Sequence, residues 1–165
     1  MQFVVKRDIL LKSLNFAQGI VEKKNTLPIL SNVLLQAKDK KLFIVATDLD
    51  IIFKDEVSDI KVITEGSTTT SAAILYDILR KIPSNSEINF DLKSENKINV
   101  KSENSDFNLL CLPTDNFPTF GEEFEENEIS LNSPSFLKLL NKTKIAISND
   151  DTRHYLNGIY FHVTS

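Results

Sequence analysis

The sequence predicts an α+β fold that is rich in strands, and three observations support this prediction. Runs in which apolar and polar residues alternate recur along much of the chain of 165 residues, and such alternation is typical of strands. Two well-separated segments instead repeat their apolar residues at helical spacing. The pattern of the opening residues returns after residue 128, which indicates a second copy of one domain.

The chain opens with a predicted strand at residues 2–5, and a helix follows it. Asp8 can cap that helix, because a carboxylate accepts hydrogen bonds from the free backbone N–H groups of a first turn. Gly19 is a suitable residue for ending the helix. The apolar residues between these two positions recur at helical spacing: Leu10, Leu11, Leu14 and Ala17.

The rest of the first copy is predicted to contain strands and one more helix. Short apolar runs separated by polar turns predict three strands, at residues 33–37, 42–46 and 49–57. The second helix should start at Ser71 and end before Pro83, because one side of this segment is apolar. Further alternating runs predict strands at residues 88–92, 98–100 and 107–111.

An acidic and polar stretch at residues 121–128 separates the two copies. We interpret it as a solvated linker rather than as a dedicated acidic binding surface. After it, a short strand is predicted at 129–131, and a helix is predicted to begin at Ser133-Pro134, because proline is favoured at the first helical position. The predicted organisation is a domain at residues 1–125 and the beginning of a second at residues 126–165.

The repeat depends on residues that match at one offset, 126 positions, without a gap. The first matching window places Leu137, Lys138, Leu140 and Asn141 on Leu11, Lys12, Leu14 and Asn15. The second window places Leu156, Ile159 and Phe161 on Leu30, Val33 and Leu35. The alternative explanation is a coincidence between two capped amphipathic helices.

Composition excludes several classes of protein. The net charge of −4 argues against a tight, purely electrostatic nucleic-acid binder. Cys111 is the only cysteine, which excludes an internal disulfide and a multi-cysteine zinc site. No apolar run reaches the roughly 18 residues that a membrane helix needs. Charged residues at positions 6–8 interrupt the first apolar stretch, so no secretory signal is predicted and the expected location is the cytoplasm.

No set of residues specifies a reaction. The four glycines are isolated, so they form no phosphate-binding loop. The segment Asp48-Leu49-Asp50 resembles the start of a calcium loop but lacks the required glycine and distal glutamate. The aspartates and histidine at residues 150–154 indicate a solvated loop rather than a metal site. Cys111 lies in an apolar alternating run, which favours a buried position over a nucleophile. We predict no catalytic residue, metal or cofactor.

Four short segments occur in an order and at a spacing that match a known family. They are TLPIL at 26–30, ATDLD at 46–50, LPTDNFP at 112–118 and RHYLNG at 153–158. With this ordered set, the chain resembles the bacterial sliding clamp, the beta subunit of DNA polymerase III. The opening strand and helix and the helix from Ser71 resemble that family as well.

The resemblance implies a DNA-clamp fold, with antiparallel sheets outside and two helices inside each domain, repeated along the chain. The chain matches the first domain and the opening of the second. The implied function is that of a non-enzymatic processivity factor, which forms a head-to-tail ring dimer around duplex DNA. Its implied partners are DNA polymerase III subunits and the clamp loader, with no membrane. A strand-rich protein-binding module unrelated to replication and a small hydrolase with an unrecognised site are the alternatives.

The resemblance also assigns site residues. It implies DNA contact by two loops, through Lys23, Lys24, His154 and Tyr155. It places part of the wall of a partner-peptide pocket at Arg153 and Leu156, and the apolar anchors of the dimer interface at Phe107 and Leu109. Cations on the helices could line the ring: Lys12, Arg80, Lys81, Lys138, Lys142 and Lys144. A ring holds DNA by topology, so few and weak phosphate contacts suffice and the protein can be acidic.

Overall fold

A computed structural model of the chain describes residues 1–21, 27–118, 129–150, 152 and 154–163. The chain divides into two compact units, Met1–Phe120 and Gly121–Ser165. The predicted boundary between residues 125 and 126 falls in the segment 119–128, outside the described residues, and it stays a prediction.

The described part of the first unit contains nine strands and two α-helices, which confirms the prediction of a strand-rich α+β fold. The helices are α1 (Arg7–Ala17) and α2 (Ala72–Lys81). The strands are β1 (Gln2–Lys6), β2 (Asn32–Lys38), β3 (Lys41–Thr47), β4 (Ile52–Val57), β5 (Ile60–Thr64), β6 (Gly66–Ser71), β7 (Glu87–Ser94), β8 (Lys97–Ser102) and β9 (Ser105–Leu112). Short 3-10 turns lie at Pro28–Ser31 and Thr114–Asn116.

Three of these strands differ from the sequence prediction. The single strand expected at 49–57 begins only at Ile52, because residues before it form a turn in which Asp48 Oδ1 accepts hydrogen bonds from two backbone N–H groups. Strands β5 and β6 were not predicted. β6 has the sequence GSTTTS, which contains no apolar alternation, yet its three threonines are buried.

The strands form one antiparallel arrangement in the order β4-β3-β2-β6-β9-β8-β7-β1-β5. Strand β9 connects its two halves. It pairs with β8 from Ser105 to Leu110, and it pairs with β6 only at Cys111 and Leu112. On the side away from β8, the segment of β9 from Ser105 to Leu110 therefore has no strand partner within the described part of the chain.

The core lies between the sheet and one side of each helix. Both helices bury leucines one turn apart: Leu10 and Leu14 in α1, Leu75 and Leu79 in α2. On the sheet, Phe3 of β1 and Phe90 of β7 are cross-strand partners whose rings stack with centroids 4.7 Å apart. Such aromatic pairs add directional packing to the burial of apolar area.

The start of α1 is joined to the end of α2 by charged side chains. Arg7 Nε donates a hydrogen bond of 2.8 Å to the carbonyl of Leu79, and Nη2 donates one of 3.2 Å to the carbonyl of Arg80. These carbonyls belong to the last turn of α2, where they have no partner within the helix. A cation there also interacts favourably with the helix dipole.

Asp8 lies inside the first turn of α1 and does not cap it, contrary to the prediction. The capping position is Lys6, which provides no side-chain hydrogen bond. The Asp8 carboxylate is occupied elsewhere, because it accepts hydrogen bonds from Arg7 Nη1 and from the backbone N–H of Asn85, at 2.6 and 2.7 Å. The helix ends at Ala17, two residues before the predicted stop at Gly19.

The described part of the second unit contains helix α3 (Ser133–Thr143) and two 3-10 turns, Lys144–Ala146 and His154–Leu156. Asn132 caps α3, since its Oδ1 accepts a hydrogen bond of 3.1 Å from the N–H of Ser135. The rings of Phe136 and Phe161 meet edge to face at 5.7 Å. The strand predicted at 129–131 is absent from the described residues, where no second strand is available for pairing.

The positions of the helices agree with the predicted repeat. Helix α3 begins and ends 126 residues after α1, and the turn at His154 begins 126 residues after the turn at Pro28. Two elements of the second unit therefore recur at the offset that the residue pattern indicated.

Gly66 opens β6 with φ +150°, a backbone conformation that residues with a Cβ rarely adopt. A Cβ at this position would lie 3.0 Å from Cβ of Met1. We expect Gly66→Ala to lower the free energy of unfolding by about 1–3 kcal/mol in urea titrations. Gly158→Ala is the control, because a Cβ there meets nothing within 4 Å, and a change within about 0.5 kcal/mol is expected. Equal effects of the two substitutions would contradict this interpretation of Gly66.

Asp8 should make stability depend on pH in acid. The hydrogen bond from the N–H of Asn85, and then Arg7, lower the pKa of Asp8 below 3.8. The folded protein therefore binds a proton on Asp8 less readily than the unfolded chain does. The resulting stabilisation is present above pH 3.8 and is lost as the pH falls through the folded pKa.

We expect the difference in unfolding free energy between wild type and Asp8→Asn to be constant near neutral pH and to shrink below about pH 4. Urea titrations across this range measure the difference. Asp77→Asn is the matched control, because it removes a carboxylate of α2 that accepts no hydrogen bond from the part of the chain that the structure describes. A pH-independent effect of Asp8→Asn would refute the assignment.

Candidate nucleic-acid and assembly surfaces

Helices α1 and α2 present one surface away from the core, which we call the helical face and define by Lys12, Asn15, Tyr76, Arg80 and Lys81. Four of these side chains are exposed, and that of Tyr76 is half-buried. The Tyr76 hydroxyl donates a hydrogen bond of 2.9 Å to Asn15 Oδ1 and so connects the two helices. This hydrogen bond, together with the position of Arg80 over the Tyr76 ring, brings polar and basic groups of the two helices together.

The charge of the helices differs in sign from that of the whole chain. Helices α1 and α2 together carry four cationic residues and two acidic ones, and α3 carries two lysines and no acid. The chain as a whole has a net charge of −4. The described α-helices are therefore net basic in a chain whose net charge is negative.

The exposed cations of the helical face are available to an external anion. Lys12, Arg80 and Lys81 form no ion pair with any carboxylate among the residues that the structure describes. The guanidinium of Arg80 lies over the ring of Tyr76, 5.6 Å from its centroid. An array of free cations on paired helices is a suitable surface for weak contacts with phosphates.

The predicted DNA-binding loops are described only in part. Lys23 and Lys24 lie outside the described residues, as does the side chain of His154. Tyr155 is 82% exposed on the turn His154–Leu156, so it does not pack at the edge of a core. The cations predicted on the second unit, Lys138, Lys142 and Lys144, are also exposed. The DNA contacts assigned to all these residues stay predictions.

Of the two residues predicted for the partner-peptide pocket, the structure describes one. Arg153 lies outside the described residues, and Leu156 is 43% exposed. The carbonyl of Leu156 accepts a hydrogen bond of 2.9 Å from the N–H of Ser148, which fixes the turn that carries it. The role of both residues in binding a partner stays a prediction.

The predicted interface anchors on β9 face the domain interior. Leu109 is only 8% exposed and belongs to the core, and Phe107 is half-buried against that core. Leu110, which was not predicted, is 82% exposed on the opposite side of the strand. Because successive side chains of a strand point to opposite faces, two adjacent leucines cannot both be buried on one face, and this was the signal for Leu110. An interface role for Phe107 and Leu109 stays a prediction.

A groove runs beside this free edge of β9. One part, of about 370 Å³, is lined by Ile74 of α2 and by residues 108–112 of β9. An adjoining part of about 290 Å³ lies between α2 and Phe107. Ile74 is 53% exposed, so together with Leu110 it gives the edge an apolar surface beside free backbone N–H and C=O groups.

Two observations concern metal binding and cysteine reactivity in the described part of the chain. No three side chains of the His, Cys, Asp and Glu types there are grouped so that they could hold a metal ion. Cys111 is buried, and burial raises the pKa of its thiol, which disfavours the thiolate that a nucleophile needs. Among the described helices, none has the length and apolar character that crossing a membrane requires.

Comparison with known proteins assigns the family. Residues 1–121 match the family described as DNA polymerase III beta subunit, N-terminal domain. The beta sliding clamp of Caulobacter vibrioides (strain NA1000 / CB15N) is 36% identical over 166 aligned residues, which cover 100% of this chain and 44% of that relative. The chain thus spans less than half the length of this relative. The chain belongs to the family of the DNA polymerase III beta subunit, the beta sliding clamps.

Solved structures show the same fold. The sliding clamp from Bartonella birtlesii bound to griselimycin superposes with a TM-score of 0.94 at 37% identity, covering 99% of this chain and 44% of that one. The structure titled Caulobacter crescentus pol III beta gives a TM-score of 0.92 at 36% identity, covering 100% of this chain and 44% of that chain. These likenesses confirm the DNA-clamp fold that the four sequence segments predicted.

Proposed function

We propose that the protein acts in a DNA sliding clamp, a processivity factor that encircles duplex DNA and tethers the replicative polymerase. The observation that carries this proposal is the similarity to beta sliding clamps along the whole chain, in sequence and in fold. Residues 1–125 then form the first clamp domain, and residues 126–165 form the opening of the second. We also propose that the protein has no enzymatic activity and works in the cytoplasm.

The distribution of charge supports a sliding contact with DNA. Affinity for DNA grows steeply with the number of phosphates that are neutralised, and a tightly bound protein could not slide. The helical face offers three free cations, with Asp77 as an acidic neighbour on α2, so its contacts with phosphates should be few. In a ring this is sufficient, because topology rather than affinity keeps the protein on the duplex.

The free edge of β9 supports head-to-tail assembly. The backbone of Ser105–Leu110 can accept a further antiparallel strand, and Leu110 and Ile74 would add apolar burial beside it. In the proposed ring, this edge pairs with a different domain of a second copy. DNA polymerase III subunits and the clamp loader are the proposed partners, bound through short peptides in a pocket to which Arg153 and Leu156 contribute.

The DNA contact assigned to Lys24 can be measured by the salt dependence of binding. Each phosphate contact that is lost reduces the slope of log K against log salt by about one unit. We expect Lys24→Ala to weaken binding of a short duplex slightly and to reduce the slope by about one. Lys61→Ala, which removes an exposed cation from β5, should leave the slope unchanged. An unaltered slope in Lys24→Ala would contradict the assignment.

The free edge of β9 should dominate any self-association of the chain. We expect the apparent mass from light scattering to rise with protein concentration, because an edge strand with apolar side chains invites pairing. Leu110→Asp should weaken this association about tenfold or more, because it places a charge at the apolar edge. Ile63→Asp is the control, since Ile63 is an exposed residue of β5, which lies at one end of the strand order. Association that persists in Leu110→Asp but is lost in Ile63→Asp would contradict this assignment and would indicate a contact through β5.

A further inference from the structure

Arg80 is the only cation of the helical face that is described in contact with an aromatic ring. Its guanidinium lies over Tyr76, one turn earlier on α2, at 5.6 Å from the ring centroid. A cation over a π-face is attracted by the quadrupole of the ring. Lys12 and Lys81 have no such ring contact in the described structure. Arg80 is thus the cation whose side chain is most restricted in orientation.

The ring below Arg80 is itself held in place. The Tyr76 hydroxyl donates its hydrogen bond to Asn15 Oδ1 on α1, so rotation of the ring would break a contact between the two helices. The backbone at Arg80 is fixed as well, because Arg7 donates to the carbonyl groups of Leu79 and Arg80. Arg80 is therefore contacted at two points, its backbone carbonyl and its guanidinium.

We propose that Tyr76 and Asn15 are positioning residues, which hold the guanidinium of Arg80 ready to contact a phosphate of duplex DNA on the helical face. The proposal rests on the proposed function, because that function supplies the phosphate. Tyr76 and Asn15 act through Arg80 and make no contact with the phosphate themselves.

The physical advantage is a smaller loss of entropy on binding. A free arginine side chain on a surface loses much rotamer freedom when it contacts an anion. A guanidinium that already rests on a ring has lost part of that freedom before binding, so more of the contact energy appears as affinity. The planar guanidinium carries several N–H donors, so a phosphate can accept from it while the cation stays over the ring.

The experiment is a double-mutant cycle on the 165-residue chain, with a short duplex DNA as the probe and fluorescence anisotropy at several low salt concentrations. Arg80→Ala should reduce the salt slope by about one unit. Tyr76→Leu should raise Kd about threefold without changing the slope by a full unit, because the charge is still present. In the Arg80→Ala background, Tyr76→Leu should have no further effect.

Lys81→Ala is the matched control, because it removes a neighbouring cation that does not rest on the ring. Its effect on Kd should add to that of Tyr76→Leu, whereas the effects of Arg80→Ala and Tyr76→Leu should not add. If Tyr76→Leu does not fold, Tyr76→Phe and Asn15→Ala take its place. Each removes the hydrogen bond between the helices while leaving an aromatic ring beneath Arg80.

A second measurement observes Arg80 directly. The heteronuclear NOE of the Arg80 Nε–H group in the ¹⁵N-labelled chain should be higher than that of an arginine without a partner, and it should fall in Tyr76→Leu or Asn15→Ala. A change in overall stability alone would not lower this value in the folded protein.

Equal weakening by Tyr76→Leu with and without Arg80 would overturn the proposal, because the ring would then act independently of the arginine. An NOE that does not change in the variants would overturn it as well. If Arg80→Ala changes neither affinity nor slope while Lys24→Ala does, the positioning proposal fails and the clamp function stands. If the wild-type chain shows no salt-dependent binding at all, the positioning proposal fails, because Arg80 then makes no measurable phosphate contact, whereas the clamp function, in which topology holds the duplex, is not contradicted.

Discussion

The continuity of β9 across the two halves of the sheet is the constraint on which the first unit depends. Its last two residues pair with β6, and the side chains of β6 reinforce this short contact. Thr69 Oγ1 donates a hydrogen bond of 2.8 Å to the carbonyl of Leu112, and Thr70 Oγ1 donates one of 3.1 Å to the carbonyl of Leu110. These hydroxyls are buried, so leaving either without its acceptor would cost the desolvation of a polar group. The helices pack on a sheet whose halves are joined here.

The same arrangement produces the free edge. Because β9 pairs with β6 only from Cys111 onward, the residues before Cys111 have a strand partner on one side alone, which is β8. The strand alternation then buries Leu109 and exposes Leu110. One strand thus supplies both a core residue and an exposed apolar residue at the free edge. The side chain of Leu109, which the resemblance assigns to the dimer interface, packs in the core of its own domain.

The elements whose apolar residues recur regularly could be predicted from the sequence. The element whose buried side chains are polar and hydrogen-bonded could not. Helices α1 and α2 were predicted because their leucines recur every three or four residues. Strand β6 was missed because buried threonines resemble a polar turn in sequence, and only their partners on β9 show why they are buried.

Asp8 was predicted as a cap, but its partner Asn85 is 77 residues away, and residue patterns along one helix do not indicate such a contact. Similarly, the candidate cations were recognised on the helices, but the ring beneath Arg80 became visible only in three dimensions.

In the proposed function an acidic protein slides on DNA, and the three described α-helices each carry more cations than acids. Three lysines of the strands form ion pairs: Lys6 with Asp59 of a turn, Lys41 with Glu56 of the neighbouring strand, and Lys93 with Asp91 of its own strand. On the helical face the exposed cations have no such described partners. An exposed ion pair contributes little to stability, but each one removes a cation from contact with an external anion. In the proposed function, the unpaired cations of the helical face attract phosphates near that face, while the net charge of −4 keeps the total affinity for DNA low.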